Sequence, residues 1–213
     1  MGGRNREPFS NLVLYRFLKW SVIMPIFRGY LRGQVYGIEH VPRTGAVIVV
    51  SNHASHFDPP LLSVAVRRPI AYMAKEELFR VPGLSQLIQL YGAYPVKRQA
   101  VDRAAIRAAI HKLEQGWGIG IFLSGTRTLD GRITDPKLGA AMIAAKQQVP
   151  LLPVSLWGTE LVLPKGSKFP RSVPVTIRIG ELIDPPQSGD RPELERVTGQ
   201  CVEAIHALHD LKR

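Results

Sequence analysis

His53, His56 and Asp58 crowd into the stretch VIVVSNHASHFDPPLL, residues 47–62, where a run of β-branched residues gives way to titratable ones. Four residues separate His53 from Asp58. If Asp58 accepts a hydrogen bond from one ring nitrogen of His53, the other nitrogen is fixed as an acceptor, and the imidazole can deprotonate an incoming hydroxyl. The two residues are therefore the candidate catalytic pair, a general base and its orienting partner. No serine or cysteine nucleophile is required, because an activated hydroxyl can attack an acyl carbon directly. Asn52 and the amides after it are suited to hold the turn. A helix opening near Pro59 would direct N–H groups at an anion or a developing oxyanion. The competing use of His53, His56 and Asp58 is metal ligation, but the other histidines, His40, His111, His206 and His209, form no further cluster that completes a zinc site. The expected metal content is none.

A second constellation is FLSGTRTLDGR, residues 122–132. Gly125 permits a tight turn, and Thr126, Arg127, Thr128 and neighbouring amides can grip phosphate oxygens, Arg127 in a bidentate contact. The glycine-rich run ending in Lys-Ser or Lys-Thr that defines a P-loop is absent. Lys97, Arg98 and Arg103 form a third, basic cluster, and Lys75 is a further cation beyond a strand. If the strands are parallel their polar ends converge on one rim, and several cations beside a His/Asp pair fit a phosphate-bearing substrate.

The elements that must position these residues alternate. QVYGIEHV reads as a short strand, and the continuous apolar run before Asn52 as a strand buried on both faces. PPLLSVAVRR opens a helix with proline in its first turn. A short strand follows at 70–73, then a helix closing near Gly92 and an extended piece ending at Lys97. Residues 102–115 show the clearest amphipathic periodicity, with Gly116 as the stop. A buried strand at 119–123 runs into the polar turn, a small-residue helix follows, VPLLPVSLWG and VTIRIGELI are later strands, and the chain ends in an amphipathic helix. Cys201 falls on that helix's apolar stripe with Leu194, Val197, Ile205 and Leu208 and is expected to be a packing residue. This alternation predicts an α/β fold, a mostly parallel central sheet flanked by helices.

Composition narrows the partners. The 213 residues suffice for one core, and the apolar fraction of 45% with 21% charged residues is that of a folded protein. A net charge of +11 attracts phosphorylated ligands, anionic headgroups, nucleic acid or an acidic protein. There is no zinc-finger pattern or RNA-recognition signature, so no nucleic-acid partner is expected. The single cysteine excludes an intrachain disulfide framework. Near the N-terminus, WSVIMPIF is too short to span a bilayer. Trp20, Tyr15, Phe17, Phe27 and Tyr30 interleave with Arg16, Lys19, Arg28 and Arg32, as expected of an amphipathic helical segment in a membrane interface, kinked or divided at Pro25. The alternative is a helix packed on the rest of the domain. The expected division is an interfacial segment over 1–33 and an α/β domain over 34–213.

These motifs resemble those of a known family. NHASHFD at 52–58 is similar to the N-H-x4-D motif of the glycerolipid acyltransferases, the 1-acyl-glycerol-3-phosphate (lysophosphatidic acid) acyltransferase family. GAYPVKR at 92–98 resembles the family's second block, whose phosphate-binding arginine maps onto Arg98. FLSGTRT at 122–128 resembles the third block, usually Phe-Pro-Glu-Gly-Thr-Arg-Ser, and VPLLPVSL at 149–156 the fourth. The resemblance covers residues 35–183. It implies acyl transfer from acyl carrier protein or coenzyme A thioester, as co-substrate and without another cofactor, to the hydroxyl of a lysophospholipid, forming phosphatidic acid. It also implies that His53 is the base, Asp58 its partner, and Arg98 with Arg127 the phosphate binders, with Asn52, Ser124, Gly125 and Thr126 completing the substrate site. The enzyme would sit on the cytoplasmic face of a membrane, peripheral or monotopic, held by the N-terminal segment. One departure stands out: Leu123 and Ser124 replace Pro-Glu, so a carboxylate is missing. Either the acceptor differs, activity on lysophosphatidic acid is weaker, or Asp130 or Asp135 substitutes in space. Metal-dependent hydrolysis and a non-enzymatic basic membrane-binding role are the other readings.

Overall fold

Successive residues of the strand that leads to His53 are all buried, which is possible only if both faces of the sheet are covered. The computed structural model, described here for residues 13, 16–90, 92–96, 103–163 and 169–213, shows such a sheet. Tyr15, Lys97 and Arg98 lie outside the described residues, as does part of the basic connection expected between the last two strands.

Among the described residues seven strands form the sheet: β1 (Gln34–Tyr36), β2 (Ile48–Ser51), β3 (Ile70–Lys75), β4 (Tyr94–Val96), β5 (Gly118–Phe122), β6 (Leu151–Trp157) and β7 (Thr176–Ile179). Their spatial order is β1-β7-β6-β2-β5-β3-β4. Every neighbouring pair is parallel except β6 with β7, which is antiparallel. The sheet is thus mostly parallel and helix-flanked, with the N-terminal helical segment before it. Within VTIRIGELI only Thr176–Ile179 is a strand; Ile183 makes an isolated bridge to Leu151. Arg178, between buried Ile177 and Ile179, lays its guanidinium over the ring of Tyr36, 4.5 Å from its centroid.

The helices are α1 (Asp58–Val66), α2 (Leu84–Leu90), α3 (Arg103–Glu114), α4 (Gly139–Gln147), the short α5 (Thr159–Val162) and the C-terminal α6 (Arg191–Asp210). Ile48 and Val50 point to one face, where they pack with Ala109 and Leu113 of α3, Ile143 of α4 and Val197, Cys201 and Ile205 of α6. Val47 and Val49 point to the other, against Leu61, Leu62 and Val66 of α1. Cys201 is fully buried as its position on the stripe predicts, and burial pushes its thiol up to about 12. The period of two in the strand and the apolar stripe of each helix therefore set the layering.

The N-terminal segment is helical from residue 16, with π-helical turns at Lys19–Ile23 and Ile26–Tyr30. Phe27 and Leu31 are buried in the core on the α1 side. Lys19 is also buried, its Nζ donating to the carbonyl oxygen of Ser63 at 2.9 Å. Phe17, Trp20, Val22 and Tyr30 are exposed. One side of the segment packs on the domain and the other presents aromatic surface. Among the described residues no helix is long and apolar enough to cross a membrane.

Candidate active site

β2 and β5 end level with each other, Ser51 opposite Phe122, so the residues that follow them meet at one rim of the sheet. This follows from parallel pairing: all polar strand ends of one direction open on the same side. Beyond β2 the chain turns through residues 52–57 before α1 begins at Asp58.

Asp58 is completely buried, and its Oδ2 accepts three hydrogen bonds: from His53 Nδ1 at 2.7 Å, from the Ala54 amide at 2.7 Å and from the Ser55 amide at 2.8 Å. The two amides belong to the turn that enters α1, where backbone N–H groups favour an acceptor, while Oδ1 is buried without a partner among the described residues. With two amides already donating to Oδ2, the geometry suits the tautomer in which Nδ1 donates to Asp58 and Nε2 carries the lone pair. The imidazole is 12% exposed, enough to present one ring edge. Its flat face stacks on Phe122, with ring centroids 4.0 Å apart and planes 16° from parallel. Tyr72 lies beyond Phe122 at 6.1 Å, and the Tyr72 hydroxyl is 3.0 Å from Ser63 Oγ. Gly120 makes room for the Tyr72 ring, since a Cβ there would come within 2.2 Å of Tyr72 Cε1.

The loop after β5 is fastened to His53 from the other side. The Thr128 amide donates to the His53 carbonyl oxygen at 2.8 Å and the Thr128 hydroxyl at 3.2 Å. Gly125 turns the chain at φ +66°, leaving Thr126 and Arg127 exposed beside the dyad loop. Ser124 is nearly buried and its hydroxyl donates to the Thr126 carbonyl oxygen at 2.6 Å, so it shapes the turn from within. Asn52 is fully buried: its Oδ1 accepts from the Leu156 amide at 2.8 Å, and its Nδ2 donates to the carbonyl oxygens of Leu156 at 2.9 Å and Gly131 at 3.0 Å. That amide joins β2, β6 and the loop, which is the turn-holding task expected of it. Gly131 has φ +72°, and a Cβ there would crowd Asn52 Nδ2 at 3.2 Å and His209 Cε1 at 3.1 Å.

Of the other expected groups, Arg98 lies outside the described residues, and Lys75 pairs with Glu77 at 3.1 Å. Of the two carboxylates expected to replace the missing one, Asp130 is exposed with Oδ1 accepting from the Arg132 amide at 3.0 Å, and Asp135 is exposed and paired with Lys137. His56 lies at the surface, but partial burial of its ring, then the charge of Arg127 and the proximity of His53, hold its pKa below the ordinary value against the opposing pull of Asp58. Two residues near the His53–Asp58 pair escaped the sequence reading. Phe122 carries no titratable signal, and its role depends on strand register. Glu160, on α5 directly after β6, keeps a buried Oε2 without a partner among the described residues. Burial raises its pKa first, and the charges of Asp58 and Asp130 raise it further. The signal available in the sequence was its place, next to the end of a buried strand of the same sheet. Among the described residues no three His, Cys, Asp or Glu side chains come together to hold a metal ion.

The arrangement offers an imidazole paired with a buried carboxylate, a flat aromatic wall beside it, and an exposed Thr-Arg turn. A family model described as acyltransferase matches residues 32–157. The chain is similar to the 1-acyl-sn-glycerol-3-phosphate acyltransferase of Bacillus subtilis, 30% identical over 185 residues that cover 85% of this chain and 90% of that protein. Its similarity to the protein of that name from Borreliella burgdorferi is 32% over 152 residues, 70% of this chain and 61% of that protein. The chain thus spans only about three fifths of the Borreliella protein, and less than half of two chloroplast relatives. Among solved structures, the 1-acyl-sn-glycerophosphate (LPA) acyltransferase of Thermotoga maritima superposes with a TM-score of 0.72 at 32% identity, over 93% of this chain and 79% of that one. Since the family match runs from just before the edge strand β1 to the last residue of β6, it takes in the His53 loop, its Asp58 partner and the Thr-Arg turn, and the chain belongs to the acyltransferase family, among the 1-acyl-sn-glycerol-3-phosphate acyltransferases.

Proposed function

We propose that the protein transfers a fatty acyl group from an acyl carrier protein or coenzyme A thioester to the free hydroxyl of 1-acyl-glycerol-3-phosphate, forming phosphatidic acid. The observation that carries this reading is the 2.7 Å contact of His53 Nδ1 with buried Asp58, which leaves Nε2 as a base at the rim. Nε2 takes the acceptor hydroxyl proton as its oxygen attacks the thioester carbonyl. The tetrahedral centre collapses, the carbon–sulfur bond breaks, and the thiolate leaves with the proton from the imidazolium. The Nδ1–Asp58 hydrogen bond stabilises that transient cation. Exposed Arg127, with Thr126 and the turn at Gly125, binds the acceptor phosphate, and Arg98 is a second phosphate ligand. Ser124 and Asn52 serve by holding the turn and the loop. Residues 1–33 act as the interfacial segment of a domain over 34–213, on the cytoplasmic face of a membrane. In support, that segment exposes Phe17, Trp20 and Tyr30 next to Arg16, Arg28 and Arg32.

A second reading has support in the turn itself. Ser124 stands where a carboxylate is usual and its hydroxyl is tied to Thr126, so the acceptor is a different hydroxyl or amine. One experiment separates them: purified protein is given labelled acyl thioesters on both carriers and a panel of lysophospholipid, glycerol-phosphate and amine acceptors. Labelled phosphatidic acid as the main product supports the first reading. Product from another acceptor alone supports the second, and bare thioester hydrolysis sinks both.

A further inference from the structure

Topology brings more than the dyad to the His53 rim. Because β7 is antiparallel to β6, with Thr176 opposite Trp157, the residues that precede β7 lie at the same end of the sheet as those that follow β6. β1 is parallel to β7, with Gln34 opposite Thr176, so the end of the N-terminal segment also arrives there. Hydrogen bonds fasten these pieces together. The Tyr30 hydroxyl donates to the Pro170 carbonyl oxygen at 2.8 Å, the Ser172 hydroxyl to the Tyr30 carbonyl oxygen at 2.6 Å, and the Arg171 amide to the Val162 carbonyl oxygen at 2.7 Å. Along the strand order, the rim therefore reads Tyr30 before β1, Phe169 before β7, Leu161 after β6, His53 after β2 and Leu129 after β5.

The four residues flanking His53 in that row are all exposed and apolar in body. Phe169 is 81% exposed and Leu129 84%, with Leu161 at 50% and Tyr30 at 45%. Exposure that high is unfavourable for side chains of this size in water, and four of them along one edge form a row, not the usual scatter. Charge accompanies it. Arg28 and Arg32 stand two residues either side of Tyr30, Arg171 two beyond Phe169, and Arg127 two before Leu129, all exposed. Apolar tips with arginine at their flanks suit the boundary between headgroups and acyl chains of an anionic bilayer, where the tips leave water and the guanidinium groups meet phosphate.

We infer that the rim presenting His53 is itself a lipid-contact surface, in which Phe169 and Leu129 insert into the interface on either side of the catalytic histidine. This is a second contact beyond the N-terminal segment. It brings the dyad to the bilayer instead of tethering the domain above it. It rests on the proposed membrane-borne acceptor for its purpose, and on exposure and topology alone for its geometry.

The test uses the full chain and vesicles of phosphatidylcholine with phosphatidylglycerol. Leu129→Ser and Phe169→Ser are combined, and Leu182→Ser serves as the control. Leu182 is also exposed, but it neighbours Ile183, which pairs with the first residue of β6 at the opposite end of the sheet. The double variant is expected to lose about tenfold or more in vesicle partition, the effect of withdrawing two apolar side chains from an interface. Its thermal midpoint and its turnover of a short-chain, water-soluble acceptor should stay as in the parent. The control should bind as the parent does. Equal binding of parent and double variant overturns the inference, as does absence of vesicle binding by the parent, an equal loss in the control, or self-association that vanishes with the double substitution. Vesicle binding that behaves as expected while the parent turns over no acceptor leaves the surface standing and removes the proposed reaction instead.

Discussion

His53 and Asp58 touch one another, yet they carry different burdens. His53 is a partly exposed side chain whose removal leaves Asp58 with two amide donors; Asp58 is fully buried and serves three donors at once. His53→Ala should therefore lower kcat/KM by roughly 10²- to 10⁴-fold or more while the thermal midpoint hardly moves. Asp58→Ala should lose comparable activity and also about 1–3 kcal/mol of stability, because the Ala54 and Ser55 amides lose their acceptor. Steady-state kinetics beside denaturant melts of both variants checks this. Equal stability losses would show that the two are not divided as base and buried anchor. At this scale the sequence was informative where spacing alone fixes contact: five positions across one tight turn bring an imidazole to a carboxylate. It was silent on direction. Nothing in the string NHASHFD tells that Asn52 turns inward to Leu156 and Gly131, partners far away in the chain. Nor does FLSGTRT reveal that the Ser124 hydroxyl closes its own turn.

Among elements, the pairing register of β3 with β5 holds the imidazole in place. Tyr72 sits opposite Gly120, its ring fills the space where a Cβ would be, and Phe122 two residues on is stacked between Tyr72 and His53. Gly120→Ala forces a methyl against that ring. The expected cost is about 1–3 kcal/mol of overpacking, with a fall in kcat that exceeds the rise in KM, since the displaced stack reorients the base more than it alters the exposed Thr-Arg turn. Unchanged kcat in a folded variant would dissociate the stack from catalysis. The elements themselves were largely legible, for the alternation of apolar strands with amphipathic helices is a local pattern. β7 shows what was not: its composition marks a buried strand, but its antiparallel direction against β6 depends on how the connection folds back. Glu160 was missed for the same reason, because its nearness to Asp58 depends on β6 lying beside β2.

For the whole molecule, buried basic groups couple the ends of the chain to the site and make its stability depend on pH in two windows. Lys19 joins the N-terminal segment to α1 through the Ser63 carbonyl oxygen; burial, then Arg67 and Arg16, lower its pKa to about 8. Between that value and 10.5 the unfolded chain binds a proton that the folded chain has released, so stability rises with pH through this window. Lys19→Met should flatten the rise, and melts from pH 7 to pH 10 on parent and variant will show whether their difference shifts in the parent's favour. At the other end, α6 brings His206 and His209 onto the loop that carries Gly131. His206 Nε2 accepts the Ile133 amide at 3.0 Å, and His209 Nδ1 lies 3.1 Å from Ser155 Oγ. Burial first, and then the charge of Arg132, lower both pKa values, while Asp210 and Asp130 work against this. An imidazole that accepts from an amide must be neutral, and protonation in the unfolded chain near the ordinary histidine value of about 6.5 is not matched in the folded one. Their contribution is complete above that value and is lost as the pH falls through the lowered folded-state values. His206→Gln can supply an acceptor without a titration. It should leave the melting temperature near neutrality within a few degrees of the parent's and reduce the fall between pH 7 and pH 5. An undiminished acid slope in that variant, with His209 intact, would assign the acid sensitivity elsewhere and leave the hold of α6 on the Gly131 loop independent of proton uptake at His206.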